Sequence, residues 1–193
     1  LTGGTVGDHQ EVKIDGIYFN SAGYGTGAGV STGAYTNLAL YNSTFLGMRD
    51  SAVSLGDYSN AIVDNTRFII NDGEYGGAIR ASFGVDLSVT NSYFYANSAD
   101  QGGAISALEG SSIYVADSQF ILNGTSGRGG ALYIASSGTT LGVYNSQFVG
   151  NYSDVDGGAI FIENGVSATI GGSTFQDNSS GLGNRGGALY SGG

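Results

Sequence analysis

Two consecutive stretches of the chain decide the fold. Residues 76–101 read GGAIRASFGVDLSVTNSYFYANSADQ, and residues 102–128 read GGAISALEGSSIYVADSQFILNGTSGR. Both begin with Gly-Gly-Ala-Ile, place a Phe 18 residues after the first Gly, and place an Asn three residues after that Phe. Similarity at a fixed period of a few tens of residues is the signature of a repeat architecture.

The same markers recur over nearly the whole chain. Five units begin with Gly-Gly-Ala and then Ile or Leu, and two degenerate units begin 18 residues before Phe45 and Phe68. Successive marker phenylalanines are 23 to 28 residues apart. These phenylalanines are Phe19, Phe45, Phe68, Phe94, Phe120, Phe148 and Phe175. The sequence therefore contains about seven repeats.

Within each unit the apolar residues have the period of a β-strand. Aliphatic or Ala residues stand seven and five places before each Phe, as Leu87 and Val89 do before Phe94, so all three point to one side. A second short strand follows Gly-Gly, and no segment has a helical period. Units with two or three short strands joined by Gly- and Asn-rich turns predict an all-β fold, a right-handed parallel β-helix of about seven coils of ~26 residues. We expect one domain over residues 1–193, with partial coils at 1–11 and 186–193.

Two polar columns are predicted to be structural, because stacked Asn side chains can hydrogen-bond from coil to coil and cap turns. The column three places before Phe is Asn42, Asn65, Asn91, Asp117 and Asn145. The column three places after Phe is Asn71, Asn97, Asn123, Asn151 and Asn178.

Composition excludes several classes of function. The chain has 6 basic and 16 acidic residues, a net charge of −10, and no Cys. The charge opposes binding to nucleic acid and anionic membranes, and the lack of Cys excludes disulfide scaffolds and thiol chemistry. No apolar run is long enough for a membrane span. We predict no cofactor and no metal site, although oxygen ligands leave calcium open at Asp154 and Asp156, or at Asp72 and Glu74.

The sequence gives little support for catalysis. A carbohydrate-active enzyme needs paired carboxylates, and we expect basic residues beside them to bind its substrate. Here Lys13 is the only lysine and His9 the only histidine. We therefore predict a protein that is not an enzyme, and keep a carbohydrate-active β-helix lyase or hydrolase as the alternative.

One outward column is a candidate contact surface. Four places after the first Gly of the last three units stand Tyr133, Phe161 and Tyr190. Aromatic side chains pack against sugar rings or another protein, so we predict a partner- or glycan-binding site here. Burial under a neighbouring chain or a terminal segment is the other possibility.

The first and last units fall in the same phase of the repeat, since Gly-Gly begins at Gly3 and again at Gly186. Uncapped coils expose strand edges that can pair with another chain. Two partners are therefore expected: flanking parts of a longer solenoid, or other copies stacked head to tail as a filament.

The paired motifs Phe-x-x-Asn and Gly-Gly-Ala-Ile resemble the repeats of the chlamydial polymorphic outer-membrane proteins, over roughly residues 12–190. Members of that family are similar to autotransporters, whose β-helical passenger works as an adhesin at the cell surface. The Cys found in some of those repeats is missing here. The resemblance implies an extracellular structural or adhesive solenoid, either an adhesin passenger or the stackable subunit of a surface fibre, and it supplies no catalytic residue.

Overall fold

The repeats fold as coils of a parallel β-helix. The computed structural model describes residues 9–21 and 27–192, so the opening strand predicted at residues 3–6 lies outside the described part. In chain order the first strands are β1 (Gln10–Asp15), β2 (Tyr18–Asn20), β3 (Val30–Ser31), β4 (Thr36–Tyr41), β5 (Thr44–Leu46), β6 (Val53–Leu55), β7 (Asn60–Asp64), β8 (Arg67–Ile69), β9 (Asp72–Tyr75), β10 (Ile79–Ala81), β11 (Asp86–Thr90), β12 (Tyr93–Tyr95) and β13 (Ser98–Gln101). The remaining strands are β14 (Ile105–Ala107), β15 (Ser112–Ala116), β16 (Gln119–Ile121), β17 (Gly124–Thr125), β18 (Leu132–Ile134), β19 (Thr140–Tyr144), β20 (Gln147–Val149), β21 (Tyr152–Ser153), β22 (Ile160–Ile162), β23 (Ser167–Gly171), β24 (Thr174–Gln176), β25 (Ser179–Ser180) and β26 (Leu189–Ser191).

The strands form four parallel sheets that run along the axis of the helix. Sheet 1 is β1-β4-β7-β11-β15-β19-β23, and sheet 2 is β2-β5-β8-β12-β16-β20-β24. Sheet 3 is β9-β13-β17-β21-β25, and sheet 4 is β3-β6-β10-β14-β18-β22-β26. Most of the later coils thus have four short strands, where the sequence predicted two or three. The extra strand is in sheet 3, where as few as two residues pair, too few to show a period.

The interior consists of columns of like residues. Phe94 pairs with Phe68 on one side and Phe120 on the other. Along the whole column the ring centroids are 4.4–5.1 Å apart and the rings are within 12° of parallel. Five of these rings are fully buried, each worth about 1.5–3 kcal/mol relative to exposure. The aliphatic residues of sheets 1 and 4 fill the rest of this core.

The Asn column after Phe is a buried hydrogen-bonded ladder. The backbone N–H of Asn97 and its side-chain Nδ2 both donate to Oδ1 of Asn123, at 3.1 and 2.9 Å. The same Nδ2 donates to the Phe68 carbonyl oxygen at 3.1 Å. Each internal Asn therefore satisfies the corner of its own coil and its neighbours' corners, which explains why the residue recurs.

The Asn column before Phe has a different role. Its five members have φ between +47° and +51°, a left-handed conformation that Asn and Asp tolerate better than most residues. The side chains are exposed, and Asn65 donates to Oδ1 of Asn42 while Asn91 donates to the carboxylate of Asp64. Backbone conformation at the turn, more than a continuous ladder, accounts for this column.

A buried hydroxyl column, which the sequence analysis overlooked, lies two residues before each Phe. Ser118 Oγ accepts a hydrogen bond from the Ser92 N–H of the preceding coil and donates to the carbonyl oxygen of Ala116. Ser or Thr at this position in every unit from Phe45 onward was the available signal: Ser43, Thr66, Ser92, Ser118, Ser146 and Ser173.

The Gly-Gly motif answers two separate demands. Gly129 has φ +70°, which favours glycine. Gly130 is instead crowded, because a Cβ there would overlap the carbonyl oxygen of Gly158 and lie 2.7 Å from the Tyr152 nitrogen. Coil-to-coil packing leaves no room for a side chain at this corner. Among the described residues, no helix is long and apolar enough to cross a membrane.

We expect Asn123→Ala to lower the free energy of unfolding by about 2–4 kcal/mol, because it leaves several buried groups without a partner. Asn60→Ala is the matched control, since Asn60 is exposed and its Nδ2 bonds only to Asn37; its effect should stay below about 0.5 kcal/mol. Urea unfolding followed by circular dichroism measures both. Equal effects of the two variants would contradict the structural role of the ladder.

Candidate functional face

The outer surface of sheet 4 carries the most varied column of the molecule. One side chain per coil points outward at the centre of each strand, and pairing puts equivalent positions side by side. From the first coil to the last these residues are Ser31, Ser54, Arg80, Ser106, Tyr133, Phe161 and Tyr190. Small residues thus give way to large aromatic ones toward the last coils.

The predicted contact residues Tyr133, Phe161 and Tyr190 lie next to one another on this face. The first pair of rings is 5.5 Å apart and 13° from parallel, and the second is 5.3 Å apart and 19° from parallel. Phe161 is only 5% exposed, while the two tyrosines are half-buried. A ligand would therefore meet Tyr133 and Tyr190 directly, with Phe161 holding the stack together. Burial raises the pKa of Tyr133.

Arginine side chains border this stack. The guanidinium carbon of Arg128 is 5.1 Å from the Phe161 ring centroid, and that of Arg185 is 4.3 Å from the Tyr190 centroid. Both residues belong to the column just before Gly-Gly, in the turn between sheets 3 and 4. That turn lengthens toward the C-terminal coils, so its side chains reach over the aromatic residues.

Asp156 fixes one of these arginines. Arg185 Nη2 lies 2.9 Å from Oδ2 of Asp156, and the Arg185 backbone N–H donates to Oδ1 at 2.8 Å. The hydrogen bonds from Arg185 hold the pKa of Asp156 below its ordinary value, and the carboxylate raises the pKa of Arg185. Asp156 is 3% exposed. The pair therefore anchors the Arg185 side chain against the surface.

Other donors on this face have no partner within the described residues. Nε of Arg80, Nε of Arg128 and Oγ of Ser106 are buried and make no hydrogen bond there. A cavity of about 150 Å³ lies beside Arg128. The other residues that line it are Asp156, Phe161, Glu163, Asn164, Arg185, Tyr190 and Gly192. Guanidinium groups, phenol groups and ring edges together suit a polar or hydroxylated ligand.

The carboxylates considered for calcium or catalysis are not brought together. Asp156 is bound to Arg185, and Asp72 accepts a hydrogen bond from the Ser98 hydroxyl. Glu163 accepts from the backbone N–H of Ser136 at 2.7 Å. Over residues 9–21 and 27–192, no three His, Cys, Asp or Glu side chains group in a way that could hold a metal ion.

A second aromatic cluster escaped the sequence analysis. Tyr35 and Tyr58 are stacked, with centroids 5.4 Å apart and planes 13° apart, and the Phe83 ring lies edge-on 5.2 Å from Tyr58. We call these three residues the aromatic corner, because they lie in the turns between sheets 4 and 1. All three are exposed, by 39%, 45% and 41%. They went unnoticed because the two tyrosines stand in the degenerate first coils.

The backbone marks the same corner. Tyr35 and Tyr58 have φ of +57° and +56°, and the equivalent residue in the four later coils is Gly84, Gly110, Gly138 and Gly165. A non-glycine residue held in the left-handed region costs on the order of 1 kcal/mol. The chain therefore keeps a tyrosine twice where glycine would be the easier choice.

Comparison with known families agrees with this architecture. A family model described as a right-handed beta helix region matches residues 16–193. The chain belongs to this right-handed beta helix family. Comparisons with curated proteins and with solved structures give no significant match. Membership establishes the right-handed β-solenoid of about seven turns, and the fold prediction is confirmed; the family model does not assign an activity.

The Asp156–Arg185 pair predicts a pH dependence. An unfolded Asp carboxyl titrates near pH 3.9, and the folded value of Asp156 is lower, so the contribution is full above pH ~4 and is lost as the pH falls through the folded value. Asp156→Asn should therefore lower the urea midpoint at pH 7, and the gap from the unsubstituted protein should narrow by pH 3. Asp86→Asn, on the exposed side of β11, is the control. A gap that is constant between pH 7 and pH 3 would contradict the assignment.

Proposed function

We propose that this protein is a non-enzymatic, extracellular β-solenoid that makes adhesive contact through the outer face of sheet 4. The observation that carries the proposal is the stack of Tyr133, Phe161 and Tyr190 with the guanidinium groups of Arg128 and Arg185 beside it. The side chains stand on a sheet whose strands are paired on both sides in all but the last coil. A rigid support lowers the entropic cost of binding.

Two features support a surface location and an adhesive role. The Phe-x-x-Asn and Gly-Gly-Ala-Ile motifs resemble those of chlamydial surface adhesins, and the family model supports a β-helical repeat protein in general. Tyr and Arg are also the residues enriched at the energetic centres of protein contacts. A glycan or a protein on another cell or in the environment is the partner that we propose, with no cofactor required.

The alternative is a carbohydrate-active enzyme on the same fold. General acid–base cleavage of a sugar chain needs two carboxyl groups placed on either side of the bond. On this face Asp156 is held by Arg185 and Glu163 by the Ser136 amide. These contacts favour binding over catalysis.

Stacking with other copies or with flanking coils is a second part of the proposal. Strands β1 and β23 each pair on one edge within the described residues. Phe175 is only partly buried, whereas Phe148 is fully buried. A further coil would cover these groups. Electron microscopy over a concentration series tests it: fibres with a repeat near 34 Å, or ~7 coils at ~4.8 Å, would support self-stacking, and dispersed short rods would contradict it.

Binding to a glycan array tests the adhesive face. Tyr133→Ser combined with Tyr190→Ser should reduce the signal about tenfold, because both exposed rings of the stack are lost while Phe161 remains. The control is Tyr114→Ser with Tyr144→Ser, a tyrosine pair 5.7 Å apart on sheet 1. Equal loss in both variants would contradict the assignment of the face.

The same glycans distinguish binding from catalysis. We expect every bound oligosaccharide to be recovered intact after prolonged incubation with the protein, as measured by mass spectrometry. Shortened products, or new reducing or unsaturated ends, would favour the enzyme alternative instead.

A further inference from the structure

We propose that the aromatic corner is a second binding site, which takes a basic polypeptide segment through its lysine or arginine side chains. This inference is independent of the proposed adhesive face on sheet 4. It rests on three features of the corner: ring exposure, backbone conformation and the sign of the surrounding charge.

The rings are held in place but left open. The Tyr58 ring packs over Gly84, where a Cβ would come within 2.9 Å of Tyr58 Cδ1. Tyr35 stacks on Tyr58, and His9 lies edge-on to Tyr35 at 6.0 Å. A contiguous exposed aromatic surface of this kind usually marks a contact site.

The left-handed backbone argues against a purely structural role. Glycine at these positions closes the equivalent turn in four later coils without strain. Strained residues that persist where an easier one is available concentrate at functional sites. The tyrosine side chains are therefore kept for what they present to solvent.

Charge selects the partner. Asp57 and Glu109 lie on the same corner, and Glu11 and Asp86 begin the adjoining outward column of sheet 1; all four are exposed. None of the six turns between sheets 4 and 1, residues 32–35, 56–59, 82–85, 108–111, 136–139 and 163–166, contains Lys or Arg. Aromatic rings beside carboxylates attract Lys and Arg side chains by cation–π and ionic contacts.

The dimensions suit an extended peptide. From the coil of Glu11 to that of Glu109 there are four steps, about 19 Å at ~4.8 Å per coil. An extended segment of about six residues spans roughly the same length. Successive basic side chains could then meet the rings and the carboxylates in turn.

Fluorescence anisotropy with labelled hexa-arginine, at low salt, tests the site. We expect binding that hexa-glutamate does not show. Tyr35→Gly with Tyr58→Gly should weaken it about fivefold or more, without lowering the melting temperature, since glycine suits both positions. Tyr58→Asn, which tolerates the left-handed backbone, should weaken binding in the same direction. Tyr152→Ser, an exposed tyrosine outside the corner, should leave binding unchanged.

Charge-matched variants separate a built site from general attraction to an acidic protein. Asp57→Asn with Glu109→Gln should weaken hexa-arginine binding more than Asp72→Asn with Asp100→Asn, which removes the same charge from exposed positions on sheet 3. Equal weakening by the two pairs, no loss on removing the tyrosines, or no binding of hexa-arginine would each overturn the proposal.

Discussion

Parallel pairing of each coil with the next is the constraint on which the rest of the structure depends. Because the strands pair in register, every side chain has its own equivalents as nearest neighbours along the axis. A residue type can recur only if it packs favourably against itself. Phe satisfies this requirement by stacking, Asn by donating and accepting at once, and Ser by accepting from one coil while donating within its own.

The same constraint leaves the exterior free. An outward side chain does not have to match its neighbours for the coil to close, so its column can change from Ser31 to Arg80 to Tyr133 without disturbing the core. The turn before Gly-Gly can also lengthen, because the extra residues loop outward between fixed strands. Functional variation in this protein is therefore read along columns, one coil at a time, and not along the chain.

The repeat made the interior predictable. Phe, the aliphatic pairs and Gly-Gly recur often enough that their register, and hence the fold, followed from spacing alone. What spacing could not provide is the conformation of long side chains: the burial of Phe161 depends on where Arg128 and the neighbouring rings lie. The aromatic corner was missed for another reason. Its tyrosines occupy a position that is glycine in the better-preserved coils, and only the positive φ identifies them as equivalent.

The distribution of charge gives these two surfaces opposite chemistry. Three of the five arginines, Arg80, Arg128 and Arg185, lie on or beside the outer face of sheet 4. The turns that lead from that sheet to sheet 1 carry acidic and aromatic residues and no basic ones. In a globular protein such an arrangement would constrain the core, whereas in a solenoid each column can be changed separately because the coils are held by their backbones. A chain of net charge −10 can therefore keep a cationic aromatic face beside an anionic aromatic corner on one rigid rod, with each site presented to a different partner.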